Sequence, residues 1–217
     1  MIEAVIFDMD GLMVNSEPVQ SRAFELVLRQ HGREPIFNAD GMIQTVGITA
    51  EDSWARLQKT LGIETDLDTL VREKEEAYQE LIRTDLQPQN GLIPLVEMIK
   101  TASLKRAIAS NAPVNTILLV LEKLKLGKDF EVIVSGTTVP QGKPHPDIFL
   151  RAAEQLRVKP ESCLVLEDAE SGVEAGKRAN MKVIAVPNQY TQSHDFSRAD
   201  LVVNSLEDIK WSTILKI

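Results

Sequence analysis

Apolar positions along this chain follow two rhythms, and the change from one to the other divides it. Ala4-Val5-Ile6-Phe7 is an unbroken apolar run, broken by an acid pair, Asp8 and Asp10, and then by Gly11. A run without alternation predicts a strand buried on both faces, as in the middle of a parallel sheet. Gly11 supplies the freedom to turn the chain sharply after it. From residue 16 the spacing becomes helical. Asn15 or Ser16 caps a first helix, Pro18 fits its first turn, Val19, Ala23, Phe24, Val27 and Leu28 share a face, and Gly32 stops it. A second helix is expected over 39–46, and Thr49-Ala50-Glu51-Asp52 resembles a capping box with Asp in its third helical place. That box opens a helix with Trp54, Leu57 and Leu61, closed by Gly62. After Asp66 the strongest helix follows, with Leu67, Leu70, Val71, Tyr78, Leu81 and Ile82 on one side. No strand is expected between 16 and 85.

Pro88 and Gly91 mark the return of the first rhythm. Strands are expected over 105–110, 131–135, 163–166 and 183–186, with a short one over 200–203. Helices over 93–101, 114–125, 148–156 and 172–179 separate them, and a last one lies near 206–209. Strands alternating with helices through short links predict an α/β fold, a doubly wound parallel sheet of Rossmann-like type. The division is therefore an α/β core of residues 1–15 and 88–217, interrupted by an inserted α-helical cap of residues 16–87.

Composition narrows the partners. The chain has 217 residues, 43% hydrophobic and 26% charged, ordinary values for a globular protein. A formal net charge of -8 argues against nucleic acid or an anionic membrane as partner. No apolar run reaches the roughly 18–20 residues that span a bilayer. The single cysteine, Cys163, lies in an apolar strand and reads as a core thiol. With no internal disulfide and no visible signal peptide, a cytoplasmic protein is expected, a monomer or a weak oligomer.

Chemistry collects at the strand ends. Asp8 and Asp10 end the first strand, Ser110 the second, and Glu167-Asp168 the fourth, while Lys143 opens the helix before that fourth strand. In a parallel sheet these positions share the carboxyl edge, where open α/β folds bind ligands. Oxygen donors from Asp8 and Asp168 suit a hard ion such as Mg²⁺. A lysine and a serine hydroxyl beside them suit phosphate oxygens. Singly, each has a plain structural reading as a turn residue, a helix start or a capping acid; their joint occurrence in this order favours the functional one. Elsewhere the expectations are structural. His31 interacts with a helix terminus, His145 and His194 lie on loops, Trp54 belongs to the helical core, and the charged run 73–76, Lys74 included, is a solvated face.

Four segments carry a resemblance. Asp8-Met9-Asp10-Gly11, Ser110-Asn111, Gly142-Lys143-Pro144 and Glu167-Asp168-Ala169-Glu170-Ser171-Gly172-Val173-Glu174-Ala175 resemble the motifs of the haloacid dehalogenase-type phosphotransferases. The helical insertion resembles that family's four-helix cap, which governs substrate specificity. Nearest in pattern are its sugar-phosphate phosphatases and β-phosphoglucomutase. The resemblance implies a Mg²⁺-dependent phosphatase acting on a small phosphorylated metabolite. It makes Asp8 the nucleophile and Asp10 the general acid/base, whose backbone carbonyl also ligates Mg²⁺. It gives Ser110, Asn111 and Lys143 to the phosphoryl oxygens, and Asp168 and Glu167 to the metal, Glu167 directly or through its waters. The mutase's cap histidine aligns with Gln20 and its phosphate-clamping arginine with Ala50, so hydrolysis is expected over isomerisation. A phosphate-accepting receiver module or a catalytically idle binding protein is the non-enzymatic alternative; the receiver lacks a helical insertion and carries its accepting Asp after a later strand, and against an idle protein every residue the chemistry requires is present.

Overall fold

The structure is a computed structural model that describes residues 1–36 and 50–217. The expected helix over 39–46 and the capping Thr49 fall outside the described residues. The chain divides into two compact units, one of Met1–Val14 with Pro88–Ile217 and one of Asn15–Gln87.

The first unit is built on six strands: β1 (Ala4–Phe7), β2 (Lys105–Ser110), β3 (Val132–Ser135), β4 (Cys163–Glu167), β5 (Lys182–Ala185) and β6 (Leu201–Val202). They lie in the order β3-β2-β1-β4-β5-β6, and every pair is parallel. β1 is central, as its fully buried sequence demands. The order runs outward from β1 through β2 and β3 on one side and through β4 and β5 on the other. The reversal therefore lies between β1 and β4, where Phe7 stands level with Leu166.

Each sheet face is covered because each carries apolar side chains. Ala4, Ile6, Ala107, Ala109 and Val165 pack with Ile148, Phe149 and Ala152 of α6 (Asp147–Leu156) and with Val173 and Ala175 of α7 (Glu170–Arg178). Val5, Phe7, Ile108, Leu164 and Leu166, on alternate positions, are equally buried. Two helices absent from the first cluster, α4 (Leu92–Thr101) and α5 (Val114–Leu124), touch β2 and β3. Each aliphatic side chain so buried contributes roughly 1.5–3 kcal/mol. After β6, residues 206–208 form a single tight turn of 3₁₀ helix, and the short α8 (Trp211–Ile214) follows.

The second unit is helical in its described residues: α1 (Glu17–Gln30), α2 (Ala50–Leu61) and α3 (Leu67–Thr84). Asp66 caps α3 by accepting from the Thr69 amide. Ser16 is the N-cap residue of α1, but its side chain makes no capping bond. Phe24, Val27, Leu28, Trp54, Ile63 and Leu70 form the core, with the Phe24 and Trp54 rings 4.9 Å apart. His31, at the end of α1, bridges Glu73 of α3 (2.6 Å) and Thr65 (3.1 Å). One expectation fails here. Lys74 is not on a solvated face: it is 5% exposed, bonded to the Gln20 carboxamide, with its ammonium 4.8 Å from the Tyr78 ring centre. The acids flanking it suggest a wet surface, but α3 rotates Lys74 onto the same side as Leu70 and Tyr78, four residues away in either direction.

Candidate active site

The site follows from where β1 and β4 stop. Asp8 continues the ladder past β1, its amide donating to the Leu166 carbonyl at 3.0 Å, so its carboxylate emerges beside the end of β4. Glu167 is the last residue of β4, and Asp168 the first of the link to α7. Asp8, Glu167 and Asp168 are all buried, and one oxygen from each lies within 4.8 Å of the others.

Lys143 enters this acid group from the loop after β3. It lies four residues ahead of α6, so the expectation that it opens that helix is corrected: the loop Gly142-Lys143-Pro144-His145-Pro146 carries it to the sheet edge. The residue preceding a proline is turned away from the helical region, so two prolines in this loop postpone the helix to Asp147. The Lys143 side chain is 4% exposed, and its ammonium lies 2.5 Å from Asp8 Oδ1 and 2.6 Å from Glu167 Oε1. It also faces the Phe149 ring at 5.1 Å.

Glu167 is anchored at both ends of its carboxylate. Oε1 accepts from Lys143, and Oε2 accepts from the backbone amides of Asp168 (3.0 Å) and Ala169 (3.2 Å). Gly172 makes this possible, because a Cβ there would stand 1.8 Å from the Glu167 carboxylate. Gly11 does the same for Asp168: its φ is +84°, and an added Cβ would sit 2.1 Å from Asp168 Oδ2.

Electrostatics follow from the counting of charges. Among the described residues three buried carboxylates gather here and one ammonium bonds two of them, an excess of negative charge when all are ionised. Burial, reinforced by the charge of Glu167, pushes the Asp8 carboxyl up to about 7 even with Lys143 beside it. Burial also disfavours the Lys143 ammonium, but the attraction of Asp8 and Glu167 outweighs it and holds the lysine above its ordinary range. A further cation would offset that excess. The donors are all hard carboxylate oxygens, which fits a divalent ion of the Mg²⁺ or Ca²⁺ type and not a soft one.

The other expected residues lie along the same edge. Asp10 is half-buried, and Ser110 Oγ, itself buried, approaches Asp10 Oδ2 at 3.4 Å. Ser110 Oγ also accepts from the Ala112 amide at 3.1 Å. Asn111 is exposed and its carboxamide oxygen accepts from the Lys143 amide at 3.1 Å, so one end of it holds the lysine loop. His145 is exposed on that loop. His194 is half-buried, with its Nδ1 3.4 Å from the Glu170 amide at the start of α7. Cys163 is buried and its thiol is pushed up to about 12, chiefly by burial, which leaves no nucleophile there.

Residues 5–186, from β1 to the end of β5, match the haloacid dehalogenase-like hydrolase family. The chain belongs to that family. Among its relatives is a phosphorylated carbohydrates phosphatase of Thermotoga maritima, 33% identical over 183 residues that cover 84% of each chain. A β-phosphoglucomutase of Bacillus subtilis is 34% identical over 219 residues, 96% of this chain and 92% of that one. In structure the chain resembles CbbY of Rhodobacter sphaeroides, solved in complex with phosphate, with a TM-score of 0.89 over the whole of both chains at 25% identity. The fold expected from the sequence, a Rossmann-like parallel sheet, is the one these haloacid dehalogenase-like relatives have.

Two side chains at this edge of the hydrolase escaped the sequence reading. Asn188, in the link after β5, donates to Asp168 Oδ2 at 2.7 Å, and Gln89 donates to the Gly11 carbonyl at 2.9 Å. A usable signal existed for the first. Asn188 lies within a few residues of the carboxyl end of a parallel strand, the same edge as every residue above. Among the described residues no helix is long and apolar enough to cross a membrane.

Proposed function

We propose that this protein is a Mg²⁺-dependent phosphatase that hydrolyses small phosphate monoesters of sugars or polyols through an aspartyl-phosphate. The observation that carries this is the buried group Asp8, Lys143, Glu167 and Asp168 at the point where strand order reverses. A phosphate ester nearing a carboxylate meets like charge, and this site gathers the means to offset it. Asp8 and Asp168 would hold the ion, with the Asp10 carbonyl and with Glu167 directly or through the ion's waters, while Glu167 also steadies Lys143. The bound ion would supply positive charge against the phosphoryl oxygens. Lys143 and Ser110 take phosphoryl oxygens, assisted by the amide nitrogen of Asn111. Asp8 Oδ attacks phosphorus, the P–O bond to the alcohol breaks, and Asp10 gives its proton to the leaving oxygen. Asp10 then takes a proton from the water that releases phosphate from Asp8. We assign choice of the alcohol portion to the helical unit, 15–87.

The names of relatives support this reading, and they also support a second, a phosphosugar mutase. Gln20, where the mutase pattern has histidine, argues for hydrolysis, since its carboxamide has no proton to exchange near neutral pH. The deciding experiment measures phosphate release over a panel of sugar, polyol and glycolate phosphates with Mg²⁺, for the wild type and Asp8→Asn. Release from a subset of the panel, lost in Asp8→Asn, is expected; substantial turnover by that variant would sink the assignment. β-Glucose 1-phosphate given with a bisphosphate primer separates the two readings, because glucose 6-phosphate forming faster than free phosphate would establish the mutase.

A further inference from the structure

Asn188 makes more of its side chain than a turn residue needs. Its Nδ2 donates to Asp168 Oδ2 at 2.7 Å and to the Gly11 carbonyl at 3.3 Å, and its Oδ1 accepts from the Tyr190 amide at 2.8 Å. Those three partners settle which end is which: the Tyr190 N–H needs an acceptor, and a carboxylate and a carbonyl need donors. The backbone is fixed as firmly. Asn188 N–H donates to Thr191 Oγ1 at 3.0 Å, the Thr191 amide returns to the Asn188 carbonyl at 3.1 Å, and Thr191 is 3% exposed. A closed turn thus presents one amide, in one orientation, to one oxygen of Asp168.

We propose that Asn188 is a positioning residue for the metal site, setting the rotation of the Asp168 carboxylate and tying it to the strand-end loop that carries Asp10. The inference rests on the reading of Asp168 as a metal ligand. A carboxylate on a short side chain turns readily about its last bond, and a ligand that turns must be ordered again whenever an ion binds. Asn188 removes that freedom beforehand. The amide spends one proton on Asp168 and the other on Gly11, so the metal ligand and the loop of the acid/base residue move together. The Gly11 carbonyl also accepts from Gln89 Nε2 at 2.9 Å. Partners one shell out from a ligand typically change metal affinity about 10–100-fold when removed.

The test is calorimetric titration of Mg²⁺ into metal-free protein, with urea unfolding of the same samples and the Mg²⁺ dependence of turnover. Asn188→Ala should weaken Mg²⁺ binding about 10-fold or more, raise the Mg²⁺ concentration needed for half-maximal rate by a similar factor, and leave kcat largely restored at saturating Mg²⁺. Thr191→Val keeps the amide on Asp168 while loosening the turn, so it should lower stability and leave Mg²⁺ affinity within about twofold. Mg²⁺ affinity unchanged in Asn188→Ala overturns the proposal, as does equal weakening in Thr191→Val, which would make the turn and not the amide responsible. Failure of the wild type to bind Mg²⁺ would instead overturn the metal reading beneath it, and the proposal with it.

Discussion

Lys143 in the α/β unit and Lys74 in the helical unit are both withdrawn from water, and the groups against them differ in kind: two carboxylates at Lys143, and a carboxamide and two aromatic rings among those at Lys74. Lys143 lies between two carboxylates, 2.5 and 2.6 Å away. Lys74 meets the Gln20 carboxamide and lies over the rings of Phe24 and Tyr78, 5.4 and 4.8 Å from their centres. The first arrangement puts formal charges in contact inside a low-dielectric edge, where removing one partner strands the others. The second bonds an ammonium to a neutral oxygen and to aromatic faces, and each of those contacts is individually modest. Charge is concentrated where the α/β unit is expected to do chemistry, and in the helical unit aromatic rings share in the contact with the buried ammonium.

The largest effect that tests this contrast is on rate. Asp10→Asn leaves the buried charges of Asp8, Lys143 and Glu167 in place but removes the group assigned to proton transfer. Turnover of sugar phosphates should fall about 10²–10⁴-fold, and less for aryl phosphates, whose leaving group needs no proton. Equal losses on both substrate types would remove Asp10 from that role. Next comes stability. Lys143→Met keeps most of the volume but leaves Asp8 and Glu167 facing each other in a buried site. Metal-free protein should lose about 3–5 kcal/mol in urea unfolding, and added Mg²⁺ should recover part of it. A loss below about 1 kcal/mol would mean that the two carboxylates simply take up a proton between them.

The same charges give a pH dependence. Unfolded, Asp8 titrates near 3.8; folded, burial and Glu167 raise it to about 7. Between those values the folded protein keeps a proton that the unfolded chain has released. Stability from this group is therefore fully present below the unfolded value and is lost as pH rises towards 7, by roughly 2–4 kcal/mol. Urea unfolding of metal-free protein from pH 5 to pH 8 measures this, and Asp8→Asn should flatten the slope. A stability that rises with pH over that window, in the wild type, would contradict the assigned direction.

The two units also differ in how far the sequence reveals them. In the α/β unit, apolar runs give the strands almost residue for residue, and parallel topology then forces their carboxyl ends onto one edge. Asp8, Ser110 and Glu167 are therefore visible from strand-end position alone, whatever lies between them in sequence. Lys143 is visible only as chemistry, because two prolines displace it from the helix that its surroundings suggest. Asn188 carries only a positional signal, its place just past the end of β5, because an asparagine after a proline reads first as a turn and its contact with Asp168 depends on a fold crossing 20 residues of chain. In the helical unit, periodicity predicts α1, the body of α2 and α3, and the same spacing places Lys74 with Leu70 and Tyr78, but the acidic composition around it points the other way. Lys74 and Glu73 are neighbours in an acidic run, yet one is buried against aromatic rings and the other reaches His31. A helical face is fixed by the rotation of one residue, about 100°, which spacing registers and local composition does not.

The smallest expected effect is the sharpest test of the contrast. Lys74→Met removes the ammonium from the helical unit by the same substitution used at Lys143. Methionine fills a similar volume, and its thioether packs well against aromatic rings such as those of Phe24 and Tyr78. The loss includes the bond to Gln20 and the attraction to the two ring faces, each in the range of about 0.5–2 kcal/mol, while the desolvation cost of the ammonium is relieved. The net should be a loss of about 1–2 kcal/mol by urea unfolding, well below that for Lys143→Met and with little dependence on Mg²⁺. Phe24 and Gln20 lie on α1 and Lys74 on α3, so the loss should show as faster amide exchange along those helices. If Lys74→Met proves as costly as Lys143→Met, the helical unit also stakes its fold on a buried charge, and the distinction between the two regions fails.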